Sequence, residues 1–334
     1  MPRKPIGRQR ELAQPCCFCG EELFAELFAA PGPGATKGQF ELVECQHCHV
    51  VRTEPLLDDD RLGEYYTQSY YGSGERKFSP FVEALTRCSS FYRAKSLLAR
   101  VRARQDATRS APVRVLDVGC GRAALLMTLD QLGCECYGVE RENFETLDIS
   151  QSIRLYRQHL EAVHFESRFF DVVVMWHALE HMSDPAAILA ESARILRPGG
   201  LLALAVPNFD SFQRRLFGAH WFHLDLPRHT HHFGRQTILS SLRETGFRIL
   251  STTTFCLEQN PYGFVQSCLN ALVPCAIPNT FYSLLKARHN AVLTPSFMVW
   301  LGLAFLISPL ALAEYLASGI LGAGATISMY AERS

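Results

Sequence analysis

Three groups of residues in this chain have types and spacings that could do chemistry. The first is Cys16-x-x-Cys19 with Cys45-x-x-Cys48, two short turns that each aim two thiolates at one ion. Two such turns complete a tetrahedral zinc site with no open position, so a Zn2+ held by Cys16, Cys19, Cys45 and Cys48 is expected to be structural. Gly20 after the first pair suits a tight knuckle, and His49 takes the equivalent place after the second. Cys17 and His47 are spare donors beside them, and buried thiols without metal are the alternative. The second group is Gly119-Cys120-Gly121-Arg-Ala123-Ala124, which follows an apolar run. Glycines between a strand and a helix let backbone N–H groups approach a ligand closely. The third is a concentration of histidines, namely His177, His181, His220, His223, His229, His231 and His232. Histidine is the usual side chain for moving a proton near neutral pH.

The glycine loop alone fits the dinucleotide pattern G-x-G-x-x-A. Asp117, two residues before Gly119, bears on the choice of ligand. A carboxylate there would repel a pyrophosphate, but it would accept from the ammonium of a methionine moiety and favour a sulfonium. Glu140, at the end of the next apolar run, can take both hydroxyls of a ribose in either case.

These residues need a frame. The region 111–255 alternates apolar runs with helical stretches, the signature of a parallel α/β sheet. Strands are expected at Val113–Val118, Cys134–Glu140, Ile153–Arg157, Phe170–Met175, Leu201–Val206 and Phe247–Thr254, with a helix over Arg122–Leu132. Asp184-Pro185 starts a helix, because Asp caps and Pro fits the first turn, and Arg197-Pro-Gly-Gly200 stops it. Before this region lie a cysteine-paired segment (1–57) and a helical linker or lid (58–110), with a helix over Phe81–Val101. After it come an apolar insertion (256–323) and a final strand (324–334).

Composition sets bounds on partners. The 334 residues carry 33 Lys+Arg against 33 Asp+Glu, so bulk charge gives no reason to expect a nucleic-acid partner. Hydrophobic content of 48% excludes a mostly disordered chain. The basic Met1–Arg10 stretch has no apolar run after it, so no secretory signal is expected. Twelve cysteines then point to a reduced, cytoplasmic protein.

Three blocks in order carry a family resemblance. Val115-Leu-Asp-Val-Gly-Cys-Gly121 resembles motif I of the class I S-adenosylmethionine-dependent methyltransferases, Phe170–Pro185 resembles their strand-four block, and Ile195–Leu201 resembles the block before strand five. The resemblance implies a Rossmann-like α/β fold with a seven-stranded sheet. It also implies S-adenosyl-L-methionine as cofactor, bound through Asp117, Gly119, Cys120, Gly121, Ala123, Glu140, Met175 and Trp176. Ala123 replaces a third glycine, and His159 falls where the family often has an acidic contact to the adenine amine.

The Leu-Glu-His block at 179–181 also resembles quinone-biosynthesis O-methyltransferases, some of which hold a divalent metal through acidic and His residues there. This chain has His177 where a carboxylate often sits, which weighs against that metal. Trp221–Phe233 and Glu258–Ser267 resemble segments of bacterial methyltransferases with an N-terminal zinc ribbon. If the acceptor is a hydroxyl, His229 is the first candidate for the base, followed by His232 and His181 with Glu180. The plainer possibility for each is a loop histidine that only bonds backbone. Asp225 and Arg228 either orient substrate or pair with each other.

Phe297–Ala317 is apolar and about long enough to cross a bilayer, though Pro309 and Glu314 interrupt it. The strand-like stretch after it must rejoin the sheet, so a hairpin lying on the inner face of the cell membrane, or a lid, fits better than a single span. The expected partners are therefore a small-molecule or lipid-linked acceptor and a membrane surface, with a second copy of the chain also open. O-methylation of a lipid-linked, quinone-like or glycan acceptor leads. C-methylation of a nucleotide sugar and a methyltransferase-like scaffold without turnover are the alternatives.

Overall fold

The computed structural model describes residues 7–32, 39–66, 80–104, 111–140, 149–273, 279–286 and 295–334. Part of the basic N-terminal stretch (1–6), Tyr70 and Tyr71, part of the segment after Glu140 (141–148) and the approach to the apolar segment (287–294) lie outside them.

The chain opens with strands β1 (Gln9–Glu11), β2 (Leu23–Pro31), β3 (Gln39–Cys45) and β4 (Val51–Glu54), which form an antiparallel sheet in that order. Helices α1 (Asp59–Gly63) and α2 (Pro80–Arg102) lead into the α/β region. There β5 (Arg114–Val118), α3 (Ala124–Gln131), β6 (Glu135–Glu140), β7 (Arg154–Arg157), α4 (Leu160–Val163), β8 (Phe170–Trp176), α5 (Pro185–Ile195) and β9 (Leu196–Pro207) follow one another. The chain continues through α6 (Phe212–Phe217), the short β10 (His231–His232), α7 (Arg235–Glu244) and β11 (Phe247–Thr253). It ends with α8 (Asn260–Leu272), α9 (Thr280–Lys286), α10 (Pro295–Ile320) and β12 (Thr326–Arg333).

The main sheet has seven strands in the order β11-β12-β9-β8-β5-β6-β7. Strands β7, β6, β5, β8 and β9 run parallel, while β12 is antiparallel to both β9 and β11. Both faces are covered, which is why the central strands read as unbroken apolar runs. In β8, Phe170, Val173 and Met175 enter one core and Val172 and Val174 the other. The parallel order brings the C-terminal ends of β5, β6 and β8 together, where a Rossmann-type sheet binds ligands.

Local chemistry explains most boundaries. Asp184 caps α5 by accepting from the Ala187 N–H at 2.9 Å, with Pro185 at the first helical position. The Arg-Pro-Gly-Gly stop ends that helix but does not form a loop. It lies inside β9, where the pairing with β8 shifts register between Phe170 and Val172. Helix α3 starts at Ala124, two residues later than the periodicity indicates, because Ala123 is left-handed (φ 54).

Strand β10 has no signature in the sequence. His231 and His232 pair antiparallel with Arg52 and Val51 and add a fifth strand to the N-terminal sheet. Phe18 meets Phe233 edge to face at 6.0 Å, and Val50 is part of the main core.

Helix α10 is a single 26-residue helix, about 39 Å long at 1.5 Å per residue. Phe297, Ala304, Ala311 and Ser318 form a buried stripe along it, and the helix packs on α8. Its opposite face is apolar and open: Phe305 is 78% and Leu306 74% exposed.

Candidate active site

Four cysteines converge as their spacing requires. Cys16 Sγ lies 3.4 Å from Cys48 Sγ and Cys19 Sγ 3.5 Å from Cys45 Sγ, and all four sulfurs fall within 4.8 Å of one another. A tetrahedron with Zn–S of about 2.3 Å has edges of about 3.8 Å, so the cluster is the right size for zinc. Crowded thiols disturb one another's protons. Sharing with Cys45 pushes Cys16 up to about 12, while hydrogen bonds from Cys16 and Cys48 hold Cys45 well below the thiol range. A divalent cation would stabilise all four as thiolates. The two knuckles have the same backbone: Gly20 (φ 74) donates to Cys16 O at 2.8 Å and His49 (φ 61) to Cys45 O at 3.1 Å. Cys17 turns away from the cluster toward His231 (3.7 Å), and His47 stands outside the converging group of four sulfurs.

The glycine loop follows β5. Gly119 adopts φ 72, and a Cβ there would stand 2.7 Å from the Ala178 Cβ, so only glycine fits. The Gly119 N–H donates to Val139 O at 2.8 Å, and the Gly121 N–H donates to Glu140 Oε2 at 2.7 Å. Glu140 therefore braces the loop from the end of β6. Asp117 is buried beneath it. Burial pushes its carboxyl up to about 7, Glu140 adds to this, and Arg93 opposes it. Cys120 is buried, and Met175 is fully inside the core. Trp176 carries the Arg93 guanidinium 3.9 Å above its ring, and Arg93 also donates to both carboxylate oxygens of Glu258 at 2.8 Å. His159 is exposed just beyond β7, at the N-terminus of α4.

Beyond β8 the chain turns sharply at His177 (φ 55), whose N–H donates to Ala205 O at 2.9 Å. A 3-10 turn, Leu179–His181, then buries Glu180. His177 Nδ1 lies 3.2 Å from Glu180 Oε1. Burial disfavours both charges, but the two outweigh it for each other. Glu180 is held at about 2, while His177, with Cys256 also beside it, is raised to about 9. An imidazolium on Glu180 works against a divalent cation at this spot.

The loop after β9 brings the other histidines. His229 Nδ1 is 2.9 Å from His223 O, and a carbonyl only accepts, so Nδ1 carries the hydrogen and Nε2 keeps its lone pair. That nitrogen lies 3.9 Å from Asp225 Oδ2, and His229 forms with Glu180 and His181 a group in which one ligand atom from each falls within 4.8 Å of the others. Burial lowers the His229 pKa below the ordinary 6.5 despite Asp225 and Glu180 nearby, which keeps the ring neutral. His181 meets the His229 ring edge-on at 4.5 Å, and its Nδ1 lies 3.1 Å from Arg228 O and 2.9 Å from the Tyr66 hydroxyl. His223 stacks parallel to His177 at 6.5 Å. Asp225 and Arg228 form an ion pair with each other.

The structure thus gathers His177, Glu180, His181, His223 and His229 at one place. His232 stands behind them against the N-terminal sheet, His231 faces Cys17, and His220 is exposed. Glu180 Oε2 and Trp176 Nε1 are buried without a hydrogen-bond partner, as is His223 Nε2, which instead faces Gly263 of α8. Buried polar atoms are nearly always satisfied, so unsatisfied ones grouped beyond a strand end mark where polar ligand atoms go. Three contributors escaped the sequence reading, namely Arg93, Tyr66 and Cys256. Arg93 and Tyr66 come from segments far from the motifs, Cys256 stands just before the Glu258–Ser267 segment, and no local pattern distinguishes any of them.

Comparison with known proteins agrees with this geometry. A family profile described as "Methyltransferase domain" matches residues 89–252. Over 151 residues the chain is 31% identical to a ubiquinone biosynthesis O-methyltransferase of Maricaulis maris, covering 41% of this chain and 59% of that protein. Over 133 residues it is 34% identical to the protein of that description from Xanthomonas oryzae pv. oryzae, covering 37% and 56%. Over 173 residues it is 31% identical to that from Cereibacter sphaeroides, covering 48% and 68%. The chain thus spans little more than half the length of the first two relatives. On these matches, with a seven-stranded sheet and a glycine loop of the corresponding kind, the chain belongs to the class I S-adenosylmethionine-dependent methyltransferases, at a distance from the quinone O-methyltransferases.

Proposed function

We infer that the chain transfers the methyl group of S-adenosylmethionine to an oxygen of a quinone-like, lipid-linked or glycan acceptor, with His229 as general base. The observation that carries this reading is the tautomer that His223 O imposes on His229, which leaves the Nε2 lone pair free 3.9 Å from Asp225 Oδ2, on a ring grouped with Glu180 and His181. Bound cofactor supplies an electrophilic methyl on a sulfonium. His229 Nε2 takes the hydroxyl proton as the acceptor oxygen bonds to the methyl carbon. With S-adenosylmethionine bound, the C–S electron pair would pass to sulfur in line with the incoming oxygen, and S-adenosylhomocysteine would be the product released. Asp117 would accept from the amino group of the methionine moiety, Glu140 from the ribose hydroxyls, and Trp176 and His159 would border the remainder. The names of the curated relatives support oxygen as the acceptor atom.

A structural Zn2+ on Cys16, Cys19, Cys45 and Cys48 accompanies this reading, as does a cytoplasmic location against a membrane surface met through the open face of α10. Calorimetric titration of the zinc-loaded chain with S-adenosylhomocysteine is the first test. Saturable binding supports an enzyme, and its absence would leave only the scaffold alternative. His229→Ala should then cut methyl transfer to a hydroxyl acceptor by about 10²-fold or more while cofactor affinity holds. Transfer to carbon of a nucleotide sugar would identify the other enzyme reading.

A further inference from the structure

Thr53 is an ordinary β-strand residue in sequence, yet it is 1% exposed and joins β4 to the histidine loop at three points. Its N–H donates to Thr230 O at 2.9 Å, its hydroxyl donates to His229 O at 2.7 Å, and its Oγ1 lies 3.0 Å from His232 Nε2. A hydroxyl has one proton, and a carbonyl can only accept, so the proton goes to His229 O. His232 Nε2 must therefore carry a hydrogen and donate it to Thr53 Oγ1. This leaves His232 Nδ1 bare, and that atom is buried without a partner. From the opposite side, Thr230 donates through its N–H to Glu180 O at 2.9 Å and through its hydroxyl to Met182 O at 2.7 Å. The stretch His229–His232 is held between the N-terminal sheet and the turn that carries Glu180 and His181.

We propose that Thr53 is a positioning residue: its hydroxyl fixes the His229 carbonyl and the His232 tautomer, so that the N-terminal sheet sets where the His229 ring stands. This builds on His229 as the base but makes a separate claim, that the cysteine-bearing sheet is part of the active-site scaffold. The groups facing the His229 ring are Asp225, Glu180, His181, His223, His232 (ring centroids 6.2 Å apart) and, across Asp225, Arg228.

The test uses the full zinc-loaded chain with 15N-labelled histidine, so it needs no acceptor. In the wild type, NMR should show His232 protonated at Nε2 alone and His229 protonated at Nδ1 alone. Thr53→Val keeps the shape and removes the hydroxyl. It should loosen the segment, admit water and raise the His229 pKa toward the ordinary value. Thr53→Ser should restore the wild-type titration. A wild-type His232 protonated at Nδ1 overturns the proposal without any variant. So does a Thr53→Val chain that titrates as the wild type, or a Thr53→Ser chain that fails to restore it. Failure of the base reading looks different: His229→Ala would keep full methyl transfer while the contrast between valine and serine at position 53 persisted.

Discussion

At Asp117, burial and ligand chemistry pull in opposite directions. Burial raises the carboxyl to about 7, whereas the ammonium proposed to bind there needs the carboxylate. Affinity for S-adenosylhomocysteine should therefore rise with pH, by up to about tenfold per unit below pH 7, and level off above it. Calorimetry at about pH 6, 7 and 8 reads this slope, and Asp117→Asn should flatten it. The His177–Glu180 pair carries a second pH dependence. Glu180, held at about 2 instead of 4.5, contributes stability that is full above 4.5 and is lost as pH falls toward 2. His177, raised to about 9 from 6.5, contributes stability that is full below 6.5 and is lost as pH rises through 9. Denaturant unfolding should therefore show His177→Asn weakest against the wild type between 4.5 and 6.5. A gap that stays the same at about pH 10 would count against the pair.

At the scale of elements, the two cysteine knuckles match in backbone but differ in residue. Gly20 takes its left-handed conformation without strain, whereas His49 does so with a Cβ, which costs roughly 1 kcal/mol. His49→Gly should stabilise the protein by about that amount, less the weak contact with Glu44 at 3.6 Å. Loss of zinc, measured as metal content in Cys45→Ser, should speed amide exchange in His231–His232 as well as in β3, because β10 belongs to that sheet. Helix α10 has two faces with opposite sensitivities. Ala311 is 1% exposed against α8, and Ala311→Leu should cost about 1–3 kcal/mol by overpacking. Leu306→Glu on the open face should change stability by about 0.5 kcal/mol or less, yet abolish co-sedimentation with vesicles. Full vesicle binding by Leu306→Glu would remove the membrane reading.

Across the whole molecule, α10 runs along α8 and is followed at once by β12, an interior strand between β9 and β11. The only charged residue of α10, Glu314, points inward and accepts from Gln213 Nε2 at 2.8 Å. A helix packed on α8 with its charge turned in leaves only its open apolar face for the membrane contact proposed above, which is the geometry of a helix lying on a surface. Excising 291–318 would uncover α8 and cut the route to β12, so its loss of membrane binding would be ambiguous; point changes on the open face avoid that. The same architecture makes the N-terminal sheet and the histidine loop one mechanical unit through β10 and Thr53. Damage to either should be felt in both.

The sequence by itself determined what local chemistry dictates. Two Cys-x-x-Cys turns, Asp-Pro at a helix start, apolar runs for buried strands and the loop at Gly119–Gly121 are short-range patterns, and each reports its own geometry. The histidines were legible as a group, but which would face one another was not, because tautomer and orientation depend on carbonyls brought from elsewhere. His229 acquires its lone pair from His223 O, and His232 its hydrogen from the demand of Thr53, a residue distant in the chain. Arg93 reaches Trp176 and Glu258 only after α2 packs across the strand ends. Strand β10 is two histidines long, too short to show periodicity, and exists because β4 offers an unpaired edge. Only the tertiary structure decided these, since hydrogen-bond partners far apart in sequence leave no trace in composition or spacing.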